Sequence, residues 1–102
     1  MPSVAEALQR LDREIASARQ QHSSFLKIIH GYGSSGEGGD IRVAVQKRLV
    51  EMTGNGKIRV CIFGEQWAKS DERTWALIKT NPELKQDSDL GKKNLGITIV
   101  VL

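Results

Sequence analysis

The sequence is poor in several residue types, and each shortage excludes a class of protein. It has one cysteine, Cys61, so no disulfide can form within the chain, and a disulfide-stapled secreted domain is excluded. No apolar run approaches the roughly 20 residues that a membrane span requires. The amino terminus also lacks the pattern of a signal peptide. We therefore expect a cytoplasmic protein without a membrane segment.

Aromatic residues are few, and the charge balance is mild. Two Trp, two Phe and one Tyr leave the core to aliphatic side chains. The net charge of +3 comes from 15 basic and 12 acidic residues, an excess that permits an anionic partner without requiring one. A chain of 102 residues is long enough for one core and too short for two. We expect a single domain over residues 1–102.

The first third of the sequence predicts a helix and then a strand. Ser3-Val4-Ala5-Glu6 is a capping-box sequence, so a helix should begin there and run to about Gln21. Its apolar residues recur at spacings of three and four, which places them on one stripe. Residues 25–29, Phe-Leu-Lys-Ile-Ile, are short and apolar and predict a largely buried strand that ends at His30.

A second helix and a second strand are predicted after a glycine-rich stretch. Five glycines among residues 31–39 argue against regular structure there, and Asp40 is a suitable N-cap for the helix. Gly54-Asn55-Gly56 ends that helix, and residues 58–63 alternate as a strand. The buried side of the helix is predicted to carry Ile41, Val45, Leu49 and Met52.

Residues 64–95 are expected to form an insertion between the last two strands. A short third helix is predicted at about 71–80, where Asp71 supplies a cap and Pro82 disfavours continuation. The polar run 85–94 predicts a long surface connection. Residues 96–102 are strongly β-forming and close the chain.

This order of elements predicts an α/β fold. We expect a two-layer sandwich with a mixed sheet of three to four strands, two helices on one face, and a short extra helix before the last strand. The strand–helix–strand order favours a parallel pair with a right-handed crossover. The last strand is then free to run antiparallel.

The glycine-rich stretch has the composition of an anion site. Glycines let the backbone approach a ligand, free amides can point outward, and a helix amino terminus favours negative charge. Arg42, placed in the first predicted helical turn, would add a guanidinium fork, and His30 would face the same point. The remaining residues of the predicted phosphate site are Gly31, Tyr32, Gly33, Ser34, Ser35, Gly36, Gly38 and Gly39.

The stretch also matches a dinucleotide-binding fingerprint, Gly-x-Gly-x-x-Gly, at residues 31–36. That fold needs more βαβ units than this chain can hold, and the acidic residue expected about 20 positions on is missing. Glu51 lies too early, inside the predicted helix. The dinucleotide interpretation is therefore disfavoured.

Three segments together resemble the small MutS-related (Smr) domain family. Residues 28–34, Ile-Ile-His-Gly-Tyr-Gly-Ser, resemble its isoleucine-rich strand leading into His-Gly-x-Gly. Ile41-Arg42 resembles the start of its basic helix, and residues 94–102 resemble its terminal Gly-x-Thr-x-Val-x-Leu strand. The resemblance implies a fold like the carboxy-terminal domain of a translation initiation factor, and it implies binding of DNA or RNA.

Several members of that family are nicking endonucleases, so the resemblance also implies phosphodiester handling. His30 is then the catalytic candidate. The family's domains begin with a Leu-Asp-x-His-Gly strand whose Asp and His are implicated in nicking, and nothing before Ser3 matches it. We expect either an upstream start or a naturally shorter domain. In both cases Glu37 or Asp40 would have to supply the carboxylate.

Several interpretations stay open at this stage. His30 is either a catalytic group or a structural histidine whose ring bonds a loop carbonyl. Trp67 and Trp75 are expected to pack the third helix onto the sheet, the alternative being a base-stacking platform. The chain is either a nucleic-acid-binding domain, with nicking activity undecided, or a non-catalytic protein-interaction module, or a binder of small anions. No cofactor is assigned, Mg²⁺ or Mn²⁺ remains open, and an exposed strand edge would favour self-association.

Overall fold

The computed structural model describes residues 2–31 and 37–102, and for Glu37 and Gly38 it describes the backbone alone. Five residues of the predicted phosphate site lie outside this range: Tyr32, Gly33, Ser34, Ser35 and Gly36.

The described part of the chain contains three α-helices and three strands. The helices are α1 (Val4–Gln20), α2 (Glu37–Gly54) and α3 (Glu72–Thr80). The strands are β1 (Phe25–Ile29), β2 (Val60–Phe63) and β3 (Ile97–Val101). Short 3-10 helices cover Gly64–Gln66 and Pro82–Gln86.

Helix α1 begins where its capping box predicts. The Ser3 hydroxyl accepts a hydrogen bond from the Glu6 amide at 3.1 Å and donates one to the Glu6 carboxylate at 3.1 Å. Leu11, Ile15 and Ala18 form the buried stripe. The α3 prediction is confirmed in the same way, because the Asp71 side chain accepts from the amides of residues 73 and 74.

Helix α2 begins four residues earlier than predicted, so the assignment of Asp40 as its N-cap is wrong. Glycine in a helix costs only about 1 kcal/mol relative to alanine, which weakens a helix without forbidding it. Burial of Ile41, Val45 and Leu49, each at most 5% exposed, stabilises the helix by considerably more. Gly38 and Gly39 therefore lie in the first turn, and Arg42 lies in the second turn instead of the first.

The strand order is β1-β3-β2, and both pairings are antiparallel. The predicted parallel pair, and with it the mixed sheet, is wrong. Strands β1 and β2 do run in the same direction, but β3 lies between them. Ile97, Ile99 and Val100 are at most 2% exposed, because the most aliphatic strand occupies the position that is covered on both faces.

Helices α1 and α2 share one face of the sheet, as predicted. Their core joins Leu11, Ile15, Ile41, Val45 and Leu49 to sheet residues Ile28, Cys61 and Val100, with Ile58 beside them. The α/β class is thus confirmed. Residues 64–95 cover the opposite face with a second core of Ile62, Trp67, Leu77, Ile78, Leu84, Ile97 and Ile99. Trp67 is fully buried as expected, whereas Trp75 is 41% exposed and is not a core residue.

The polar run before β3 is tied to β1. Lys27 on β1 donates to Asp87 at 2.9 Å and also to Asp89. The Trp67 indole donates to Asp87 at 2.9 Å, and Asn94 donates to Asp89 at 2.9 Å. Burial by itself lowers the pKa of Lys27, but the hydrogen bonds to the two carboxylates outweigh it, and the pKa is raised. The predicted surface connection is therefore anchored at its centre.

None of the helices in residues 2–31 and 37–102 combines the length and apolar content needed to cross a lipid bilayer.

Candidate functional site

Four elements meet at one end of the sheet. There β1 ends and leads into His30, β2 ends and leads into Glu65, β3 begins after Gly96, and α2 brings in Arg42. We call this region the histidine end. Residues that are far apart in the sequence are brought together here because β3 is antiparallel to both of its neighbours.

The backbone at the histidine end is held by a single carbonyl. The amides of His30 and Gly31 both donate to the Gly96 carbonyl oxygen at 3.0 Å. Gly31 has a φ of +72°, a left-handed conformation that glycine adopts at low cost. The chain therefore leaves β1 in a fixed direction.

Both ring nitrogens of His30 have partners within the protein. Nδ1 lies 2.5 Å from the Gly31 carbonyl oxygen, and Nε2 lies 3.0 Å from the Thr98 hydroxyl oxygen. A carbonyl can only accept, so Nδ1 carries the proton. In the neutral ring Nε2 is then the acceptor, and the Thr98 hydroxyl donates to it. The contact with Gly31 is the one that a structural histidine was expected to make.

Burial lowers the pKa of the His30 imidazole below its ordinary value of 6.5, and the nearby charge of Arg42 acts in the same direction. The hydrogen bonds to the backbone of Gly31 and Ile97, and the charge of Glu65, oppose this shift without cancelling it. The ring is therefore neutral at pH 7. A neutral imidazole is the form that can accept a proton from water or from a hydroxyl.

Arg42 brings a positive charge and an unsatisfied donor to this region. Among the described residues its Nε has no hydrogen-bond partner although the atom is buried, and the same holds for Nε2 of Gln46, one helical turn further along α2. Buried donors without a partner are costly. A ligand oxygen or a water molecule would satisfy them.

A groove of about 590 Å³ runs from the histidine end between α1, β1 and α2. His30, Gly31 and Ile41 line one part of it. Its α1 side carries Arg10, Arg13, Glu6 and Glu14, and Arg10 pairs with Glu14 at 3.1 Å. The groove is therefore mixed in charge, and the positive charge that acts on His30 is that of Arg42.

The structure brings together part of the predicted site. His30, Gly31 and Arg42 meet at the histidine end, and Gly38 and Gly39 lie in the first turn of α2. Asp40, considered as a substitute carboxylate, is exposed. In the described residues no group of three or more His, Cys, Asp or Glu side chains could hold a metal ion.

Sequence reasoning missed Thr98 and Glu65. A signal for Thr98 was available, because it interrupts the aliphatic run Ile97-Thr98-Ile99-Val100-Val101. A hydroxyl inside a buried strand needs a partner. No comparable signal marks Glu65, whose proximity to His30 depends on strand order.

Comparisons with known proteins identify a family from the sequence and a similar fold among solved structures. The model of the Smr domain matches residues 2–69. Among solved structures, the Smr domain of Thermus thermophilus MutS2 is similar with a TM-score of 0.60 and 22% sequence identity, over 98% of this chain and 86% of that chain. At this identity the likeness supports the fold alone. No curated protein matches the chain.

Proposed function

This chain belongs to the Smr domain family, and from that premise we propose that it is a nucleic-acid-binding module that holds a sugar-phosphate backbone at the histidine end of its sheet. The observation that carries the proposal is the positive charge of Arg42 beside His30, on a helix that begins only five residues before it. Arg42 can donate to a phosphate oxygen, and the amino terminus of a helix favours negative charge.

Arg42 supplies the charge that the proposal needs. Its guanidinium is close enough to His30 to lower that ring's pKa, and its buried Nε has no partner in the described residues. Gly38 and Gly39 lie in the first turn of α2 and have no Cβ, so no side chain at these two positions would obstruct a ligand.

Fluorescence anisotropy with labelled nucleic acids tests the proposal. Single-stranded, duplex and branched DNA, and RNA, are titrated at several salt concentrations. Binding should weaken steeply with salt because counterions are released. Arg42→Ala should weaken binding about tenfold and reduce the salt slope by about one.

Arg59→Ala is the matched control for Arg42→Ala. Arg59 is exposed and precedes β2, which places it at the opposite end of the sheet. It should leave binding unchanged within about twofold if contacts are confined to the histidine end. Equal loss in both variants would indicate diffuse charge attraction, and no binding at low salt would overturn the proposal.

Nicking of a phosphodiester is the second candidate function, and the neutral ring of His30 favours it. To act as a base, the ring would have to turn away from Thr98, because the hydroxyl of that buried residue occupies the lone pair of Nε2. Conversion of supercoiled plasmid to open circle, with and without Mg²⁺ or Mn²⁺, measures the activity. His30→Ala should abolish it and His22→Asn should not, since His22 lies in the turn after α1. Equal rates in the His30 variant would exclude this base.

The rival function is a non-catalytic protein-interaction module that keeps the Smr fold. Binding to a protein partner that does not depend on salt, without any nucleic-acid signal at low salt, would support it.

We place either activity in the cytoplasm, because the single cysteine, Cys61, is buried and unpaired.

We also propose that the protein binds a second copy of itself through the edge of β1. The Ser24 carbonyl accepts from the Leu102 amide, and the His30 amide donates to the Gly96 carbonyl, so the even-numbered residues of this segment bond to the β3 side. Because bonding alternates along an antiparallel strand, the amides of Phe25, Lys27 and Ile29 point away from β3. Edge strands are often protected by free lysines, but Lys27 is neutralised by Asp87 and Asp89. Ile29 is 78% exposed. Light scattering should detect dimers at high concentration, and a monomer throughout would contradict this.

A further inference from the structure

We propose that Thr98 is a positioning residue of the histidine end, whose hydroxyl fixes the ring of His30 and, through that ring, the first peptide of the glycine-rich segment at Gly31. The inference rests on the proposed function in one respect, which is that His30 belongs to a binding site. The hydrogen bonds of Thr98 and His30 do not depend on the proposed function.

A continuous series of hydrogen bonds carries the proposal. The Thr98 hydroxyl donates to His30 Nε2 at 3.0 Å, and His30 Nδ1 donates to the Gly31 carbonyl at 2.5 Å. The amides of His30 and Gly31 then return to the Gly96 carbonyl. The series begins and ends on or beside β3, so it fixes the ring and the Gly31 peptide to the central strand.

Thr98 is a rigid anchor because of its place in the sheet. It is fully buried, lies in the central strand, and pairs with Ile28 on one side and Phe63 on the other. A β-branched side chain also has few allowed rotamers. Its hydroxyl therefore has little freedom to move away from His30.

The choice of threonine at this position is explained by His30. Within residues 2–31 and 37–102, the hydrogen bond to His30 is the one that the Thr98 side chain makes. A buried hydroxyl without a partner is destabilising, and valine would fill the same volume with no polar group to satisfy. The hydroxyl at position 98 is therefore explained by its hydrogen bond to the His30 imidazole.

The functional consequence is preorganisation. Without a ligand, a ring held at both nitrogens stays in place, and a Gly31 carbonyl held by that ring gives the chain one direction as it leaves β1. Arg42 on α2 and Glu65 after β2 are the charged groups that act on the ring from the neighbouring elements. A ligand that binds beside His30 then has fewer groups to order.

Thr98→Val and Thr98→Ser test the role of the hydroxyl. Valine keeps the shape and removes the donor, whereas serine keeps the donor. The titration of the His30 ring is followed by NMR in each protein, after the amide spectrum has confirmed the fold. The parent protein and Thr98→Ser should titrate below 6.5.

Thr98→Val should titrate closer to 6.5, because the donated hydrogen bond that favours the neutral ring is lost and because a ring without this partner turns into water. An unchanged titration in Thr98→Val would overturn the proposal. A further decrease of the His30 pKa would overturn it too, since the ring would then have stayed in place without the hydroxyl.

Binding of single-stranded DNA by the same variants separates this inference from the proposed function. Thr98→Val should bind about tenfold more weakly than the parent, about 1.4 kcal/mol, and Thr98→Ser within about twofold. If the parent binds no nucleic acid while the two titrations differ, the positioning role stands and the proposed function fails. If the parent binds and the titrations agree, the positioning role fails.

Discussion

At the scale of single residues, His30 illustrates how one side chain can satisfy two interpretations of the sequence. Its ring makes the hydrogen bond to a loop carbonyl that a structural histidine was expected to make. The same contacts fix its tautomer, and burial keeps it neutral. A neutral ring with a defined lone pair is also what a general base requires, so the catalytic role stays a prediction.

The lowered pKa of His30 predicts a pH dependence of stability. Folding disfavours the protonated ring, so its stability contribution is fully present above 6.5 and is lost as the pH falls from there through the lower, folded pKa. Urea unfolding between pH 7.5 and 5.5 should show this loss in the parent and in His22→Asn. It should be smaller in His30→Gln, and an equal loss in all three would contradict the assignment.

At the scale of elements, the segment that follows β2 depends on a close approach of two backbones. A Cβ at Gly64 would overlap the carbonyl oxygen of Asn94 and lie 2.9 Å from that of Ile97. These contacts press the Gly64–Gln66 turn against the start of β3. They also place Glu65 at the histidine end.

Gly64→Ala should therefore destabilise the protein by about 3 kcal/mol, because backbone atoms cannot move aside as a flexible side chain can. Chemical denaturation measures the change. Gly54→Ala is the control, since a Cβ there meets nothing within 4 Å. The control should change stability by about 0.5 kcal/mol at most, and a similar small effect at Gly64 would show that β3 tolerates displacement.

The elements also show which parts of the fold can be predicted from the sequence. The starts of α1 and α3 were predictable because Ser3 and Asp71 bond amides within three residues of themselves. The start of α2 was not, because the local cost of Gly38 and Gly39 is outweighed by burial of distant residues. The central place of β3 depends on pairing with segments more than thirty residues away, which no local pattern records.

The candidate site was predictable to the same extent. His30 and Arg42 stand out by residue type beside a glycine-rich stretch, and the structure brings them together. Thr98 belongs to β3, and Glu65 follows β2. Their proximity to His30 follows from the strand order of the sheet. Because β1 and β2 were predicted to pair in parallel, neither residue was expected beside His30.

At the scale of the whole molecule, β3 joins two cores. Val100 packs with α1 and α2 on one face, and Ile97 and Ile99 pack with Trp67 and α3 on the other. The strand cannot leave one core while it remains in the other. The expectation of a single domain over residues 1–102 stays a prediction, and cooperative unfolding would test it.

This arrangement predicts one cooperative unfolding transition. In a Trp75→Phe protein, fluorescence reports on buried Trp67 in the second core, while far-UV circular dichroism reports mainly on α1 and α2. The two signals should have the same midpoint in urea. Separate midpoints would mean that residues 64–95 unfold independently of the helical face.

Mapping of NMR amide shifts during titration with a short single-stranded DNA at low salt shows directly whether the ligand binds at the histidine end. The largest shifts are expected at Gly31, Arg42, Glu65 and Gly96, with little change at Asn55, Gly56 and Arg59 at the opposite end of the sheet. Shifts confined to that opposite end, or spread evenly over the surface, would contradict binding at the histidine end.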